Sequence, residues 1–374
     1  MLKSRNCGVI LLLIILSGLA SWAQQPAAKS FSEKAHATPA NSQDASLAPS
    51  PVPGIDPKTG EPYWKSIRED WRSLSVKGSD LKPEPPLIGE VTEEAKFTRT
   101  LLALKWRPGD ALDVYVVLPK GVTKPAAVLY LYGYKEDTDR FKDDAWCEHV
   151  TASGVAAVGF VSALTGHRFH DRPMKQWFVS ELSESLGSTV HDIKFILDYL
   201  ESRGDIDMNR IGMFGQGSGG TIAILAAAAD PRIKAIDVLE PWGDWPHWLA
   251  QSSVVQDDPE KDRYTKKDFL DKVKPLDPVK WLPTLKFTSV RIQQIAEYDD
   301  SVPEKCQDRI KAAAPKQAVV NRFDSTIQMA GIEGGGRMFE WMRTELTKLK
   351  APEVPNKNAV ANKNEASSNT TAHD

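Results

Sequence analysis

The sequence predicts an α/β protein with a mostly parallel central sheet, an N-terminal antiparallel hairpin and helices on both faces; three observations carry that prediction. Two alternating stretches, residues 97–106 and 111–118, flank the turn Arg107-Pro108-Gly109-Asp110, as the arms of a hairpin do. Further on, short continuous apolar runs alternate with stretches of helical length, the pattern of strands buried on both faces. One such run, Ile211-Gly-Met-Phe214, feeds the cluster Gly215-Gln216-Gly217-Ser218-Gly219-Gly220 and then an alanine-rich helix former over 221–229. That order describes a strand, a very tight turn and a buried helix.

Taken in order, residues 1–23 hold Lys3 and Arg5, an apolar core over 9–16 and the small residues of Ser21-Trp22-Ala23. They are expected to be a secretory signal peptide, since the apolar run is well short of the roughly 20 residues that span a bilayer. Residues 24–54, rich in Ala, Ser, Pro and Gln, are expected to be a disordered linker, and 351–374 a disordered tail. Residues 55–350 then form one domain. Behind the leader only Cys147 and Cys306 remain, which is no disulfide framework. A net charge of −3 over 374 residues suggests no nucleic-acid partner, and no membrane partner is expected once the leader is removed.

Residues 63–74 carry aromatics among charges and are expected to form a short helical arm on the domain. After the hairpin, Ala126-Ala-Val-Leu-Tyr-Leu131 is a buried central strand ending at Tyr132-Gly133-Tyr134. A helix is expected over 141–153, a buried strand over 155–161, and then a long loop holding His167, His170 and Asp171. The next helix lines up Leu186, Val190, Ile193, Ile196, Leu197 and Leu200, with His191 expected at its surface or boundary. Beyond the glycine turn come a strand over 233–239 and an aromatic loop, Glu240-Pro-Trp242-Gly-Asp-Trp245-Pro-His247-Trp248. A strand over 287–295 leads to Asp299-Asp300-Ser301-Val302-Pro303, and a strand over 318–323 and a helix over 338–349 close the domain. Ligands of such sheets sit beyond the C-terminal strand ends, so Tyr134, the glycine turn, the aromatic loop and Asp299 should converge.

Two patterns compete for the turn. A nucleophile elbow, small-x-nucleophile-x-small-small, fits Gly215, Gly219 and Gly220 and puts the nucleophile position on Gly217. The register with Ser218 as nucleophile places the bulky Gln216 at a small position. The dinucleotide fingerprint G-x-G-x-x-G is matched by Gly215, Gly217 and Gly220, with Asp237 and Glu240 about where a ribose-binding acid would stand.

The elbow, Leu131-Tyr132-Gly133-Tyr134 and Asp299 ahead of Val302-Pro303 follow the order of the α/β-hydrolase family. Over residues 97–349 the chain resembles that family, nearest to its dienelactone-hydrolase-like and prolyl-oligopeptidase-like members. The resemblance implies an α/β-hydrolase fold, an ester or acyl substrate class, and an oxyanion hole built from the N–H groups of Ser218 and Tyr134. It also implies a triad in the order nucleophile, acid, histidine, and it outweighs the dinucleotide reading, whose fingerprint normally opens a domain. Here the nucleophile position is Gly217 and the acid position Asp299, while the histidine expected within 325–336 is missing: none occurs between His247 and His373.

The remaining candidates each have two readings. Ser218 is an unconventional nucleophile or a helix-opening residue whose backbone N–H matters more. His247 is a replacement base from a lid. His167 and His170 are a substitute base or a metal pair without a third ligand. Trp242, Trp245 and Trp248 wall a binding site or pack a lid, and Asp299 is a triad acid or a loop brace. No metal or cofactor is expected. The reading that follows is an exported hydrolase-like protein that binds a small carbonyl- or carboxylate-bearing ligand or a partner. Its alternatives are an active serine esterase or peptidase-like hydrolase using Ser218 with a recruited histidine, and a dinucleotide-binding oxidoreductase. In the implied fold, the helices carrying Cys147 and Cys306 lie on opposite faces of the sheet, so the two should not pair.

Overall fold

The computed structural model describes residues 67–133, 138–163, 179–256, 258–296, 301–334 and 336–349. The expected leader, linker and tail lie outside the described residues, as do Tyr134, His167, His170 and Asp299.

Nine strands form one sheet in the order β1-β2-β3-β5-β4-β6-β7-β8-β9. Strands β1 (Leu87–Glu93), β2 (Phe97–Arg107) and β3 (Asp110–Pro119) run antiparallel, and β3 pairs antiparallel with β5 (Ala156–Phe160). From there on β5, β4 (Ala127–Leu131), β6 (Ile211–Gln216), β7 (Ile233–Leu239), β8 (Ser289–Ile295) and β9 (Val319–Phe323) are parallel. The hairpin and the strands expected from apolar runs are all present. Strand β1 is an addition: almost every residue is exposed, so it lacks the buried alternation that reveals a strand in sequence.

Helices α1 (Asp144–Thr151), α2 (Leu182–Arg203), α3 (Ser218–Ala229), α4 (Trp245–Gln251), α5 (Lys267–Val273), α6 (Glu304–Ala313), α7 (Thr326–Glu333) and α8 (Arg337–Lys348) cover the sheet. The helix expected over 141–153 is divided: Asp143 stops a 3-10 turn and caps α1, accepting from the N–H groups of Ala145 and Trp146 at 2.8 and 3.2 Å. The second half of the aromatic loop is α4, with a proline in its first turn. Its opening N–H groups are capped from afar: the Asp277 carboxylate accepts from Asp244 and Trp245, each at 3.1 Å. No local pattern announces a cap borrowed from so far along the chain.

Alternate residues of the central strands feed two cores. Leu129, Leu131, Val158 and Met213 pack with α2, α3 and α4 and with Cys306 and Ile310 of α6. Val128, Tyr130, Ala157 and Phe214 pack with Cys147 and Val150 of α1 and Met342 and Leu346 of α8. Cys147 and Cys306 thus belong to opposite faces, and both are free and buried.

The described part of the arm, residues 67–74, has no helix; it is a chain of turns and bends lying on α2 and the hairpin. Glu69 locks it there. Its carboxylate accepts from Arg107 Nε at 2.7 Å and Nη2 at 2.6 Å and lies 2.6 Å from His191 Nδ1, while His191 Nε2 is 2.9 Å from the Ser73 carbonyl. Asp192 accepts from Trp106 Nε1 at 2.8 Å and from Arg107. His191 is therefore fully buried, not at the surface as the helical pattern suggested, because the arm brings its own acceptors to cover it. Burial alone would push the Glu69 carboxyl up; its bonds to Arg107 and His191 reverse this and hold it at about 2.

Candidate functional site

Strand β6 passes into α3 through a single residue, Gly217, with φ 53° and ψ −120°. That conformation is nearly closed to residues with a Cβ, which is why a glycine sits there without strain. Its N–H donates to the Leu239 carbonyl of neighbouring β7 at 2.8 Å, fixing the turn at the C-terminal edge of the sheet. Gly219 answers a different need. A Cβ there would collide with the Leu131 carbonyl oxygen at the end of β4, and one on Gly215 with the backbone of Gly219. The turn residue is thus Gly217, in the register with Gly215 and Gly219 as small positions.

Space at Gly217 is bounded but present. A Cβ built there would meet Trp242 Nε1 at 3.4 Å and Gly133 Cα at 3.8 Å, ordinary contacts. Ser218 is the first residue of α3 and fully buried. Among the described residues no hydrogen bond joins it to a histidine: His191 is held by Glu69 and Ser73, and His247 turns Nδ1 to Asp244 Oδ2 at 2.7 Å. Asp244 has a left-handed backbone, φ 57°, and lies 3.9 Å from Arg309 Nε. This carboxylate orients the His247 ring on α4, whose buried face is formed by Trp245, Trp248 and Leu249.

The three tryptophans divide in role. Trp245 and Trp248 are 1% and 0% exposed and pack α4 into the core; Trp248 Nε1 donates to the Ser301 carbonyl at 2.9 Å. Trp242 stacks on Trp248 at 4.6 Å and is the member that reaches the elbow. Thr221 Oγ1, from the first turn of α3, donates to the Trp242 carbonyl at 2.7 Å.

The proposed ribose acids serve the fold. Asp237 lies within β7 and accepts from Arg291 Nε at 3.0 Å and Nη2 at 2.6 Å, with Gln293 at 2.9 Å. Glu240 accepts from the Ile295 N–H and from Gln307 Nε2 at 3.2 Å, and the same Gln307 nitrogen donates to the carbonyls of Ile295 and Val302 at 3.0 and 3.3 Å. Gln307 thereby ties both flanks of the segment that holds Asp299. Nothing in the amphipathic pattern of α6 marks it for that task. Among the described residues no group of three His, Cys, Asp or Glu could hold a metal ion, and a cleft of about 360 Å³ between Leu118, Val122 and Pro125 lies at the opposite ends of the strands.

No protein-family model matches the chain. YtaP of Bacillus subtilis (strain 168), provisionally named a hydrolase, is 29% identical over 179 residues, 41% of this chain and 58% of YtaP. The match thus spans less than two thirds of that relative. Among solved structures, the chain is similar to acetyl xylan esterase 1 of a Thermoanaerobacterium species, with 14% identity, TM-score 0.52 and coverage of 70% of this chain and 88% of that one. It is likewise similar to the acetyl xylan esterase of Paenibacillus sp. R4, with 14% identity, TM-score 0.55 and coverage of 71% and 89%. The chain has the α/β-hydrolase fold. The turn after β6, where that fold places its nucleophile elbow, holds Gly217 in this chain. The dinucleotide alternative fails on the same geometry: its fingerprint glycines form this elbow, Trp242 stands over it, and Asp237 and Glu240 are buried and bonded within the sheet.

Proposed function

We propose that this chain is an α/β-hydrolase-fold binding protein without ordinary serine-hydrolase chemistry, and that its elbow receives the carbonyl or carboxylate of a small ligand. The observation that supports this reading is Gly217 itself: the elbow backbone is complete and carries no nucleophile. The family's usual histidine position is empty as well, since the segment after β9 runs from Ser325, which caps α7 through its hydroxyl at 3.2 Å from the Gln328 N–H, to Gly336 without a histidine. The first-turn N–H groups of α3 still make the elbow favourable to negative charge. Treatment of the folded protein with a fluorophosphonate probe, followed by peptide mapping, should give no adduct. Labelling at Ser218 that disappears in Ser218→Ala would overturn the reading.

The esterases among the structural neighbours favour a second reading, an acyl hydrolase using Ser218 with His247 as recruited base. It requires an ester-cleaving rate that Ser218→Ala and His247→Ala both abolish. We further propose export through the leader, so that the mature protein, analysed by intact mass, begins at Gln24.

A further inference from the structure

We propose that the loop before β8 is a membrane-contact site, in which Phe287 enters the headgroup layer of an anionic lipid surface and Lys286 and Lys316 meet its phosphates. The apolar run over 287–295 suggests that Phe287 opens a buried strand. Strand β8 instead begins at Ser289, and Phe287 stands 98% exposed. A single surface apolar residue needs no explanation, but this one has a fixed neighbourhood. Gln317 Nε2 donates to the carbonyls of Leu285 and Thr288, at 2.7 and 3.2 Å, and so braces the loop on both sides of Phe287. The same brace brings Lys316 and Val319 alongside. From the other flank Ser289 Oγ donates to Glu345 Oε2 at 2.9 Å, which ties in the end of α8 with Leu349. Phe287 thus shares one end of the molecule with Val319 and Leu349, each 43% exposed.

Charge selects the occupant. Among the described residues no carboxylate pairs with Lys286 or Lys316; the neighbouring Glu345 is already held by Ser289 and by Lys348 at 2.6 Å. A second copy is disfavoured, since a two-fold contact through this patch sets lysine against lysine. The sequence beyond Leu349 is a poor cover, for residues 351–374 hold only Val354 and Val360 as large apolar side chains. An exposed aromatic beside unpaired lysines suits a lipid headgroup layer, which takes in the ring and supplies the anions. Among the described residues no helix is long and apolar enough to cross a membrane, so the contact is peripheral. The patch lies at the N-terminal ends of β8 and β9, so the bound protein turns its elbow away from the lipid. A net charge of −3 averaged over 374 residues hides such a local excess, which is why composition points to no membrane partner.

The test is amide hydrogen exchange over residues 285–289 of the full chain, with vesicles of phosphatidylglycerol and phosphatidylcholine in equal parts or of phosphatidylcholine alone. Reading this loop directly separates its contact from any made by the leader. Exchange should slow with the anionic vesicles and not with the neutral ones, and added salt should reverse the effect. Phe287→Ser should raise the lipid concentration for half-maximal slowing by about tenfold, and Lys286→Gln and Lys316→Gln by about fivefold each. All three side chains are exposed, so the variants should fold as wild type does. No slowing with anionic vesicles, equal slowing with neutral ones, or the same lipid requirement in wild type and Phe287→Ser overturns the inference. So does slow exchange without lipid that is relieved by removing residues 351–374 or by dilution, because the tail or a second copy then covers the patch.

Discussion

Gly217 and Gly219 stand two residues apart and answer to different constraints, and substitution separates them. Gly217→Ala has space for its methyl but must hold positive φ, so its cost should be strain alone, about 1–3 kcal/mol. Gly219→Ala drives a Cβ into the Leu131 carbonyl and cannot be absorbed by a rotamer; it should cost about 3 kcal/mol or more, as overpacking against backbone does. Denaturant melts of the two variants check the order, and equal losses would mean that the elbow is looser than described. The glycine spacing was enough to place the elbow and its register from sequence, because close backbone approach demands residues without side chains. What it could not supply was the neighbour: Trp242 comes from the end of another strand, and only the pairing of β6 with β7 brings it over Gly217.

At the scale of elements, the arm is part of the domain. Glu69→Ala should leave Arg107 and His191 facing a vacated site in a buried setting and cost about 3–5 kcal/mol. The same bond gives a pH signature. Because the folded carboxyl is held at about 2 against an unfolded value of about 4.3, its contribution is complete above the unfolded value and is lost as pH falls from there toward 2. Wild type should therefore lose stability more steeply than Glu69→Gln across that window; parallel curves would show that Glu69 is not the group titrating. A chain shortened to begin at Lys82 loses Glu69 and Ser73 and should melt well below the full-length protein. The sequence showed that the arm lies on the domain and misjudged its form, for charge among aromatics suits an amphipathic helix as well as a strap of turns. The position of His191 was hidden for a related reason: periodicity reports which face of α2 meets the sheet and is silent on a second layer laid over the polar face.

In the whole molecule, one sheet separates two cores, and each holds a cysteine. Burial pushes both thiols up, Cys306 to about 12 with Asp244 and Asp277 adding to the effect, so neither offers a thiolate at neutral pH. Ellman's reagent should leave both unmodified in the native protein and reach them together in a single unfolding transition; one thiol reacting early would show that the two faces melt apart. The strand order was legible because buried apolar runs and crossover helices leave few alternatives, while β1, whose Leu87, Ile88 and Val91 are 70%, 68% and 54% exposed, left no such trace. The relaxed turn at Gly217 also has a bearing on descent. A serine at such a corner is kept there only by the advantage of its chemistry, since the backbone is easier with glycine. Where that advantage lapses, replacement by glycine is downhill, and the way back must restore strain before any catalytic benefit returns. On the binding reading proposed above, putting a side chain back at this corner would cost strain before any catalytic benefit returned.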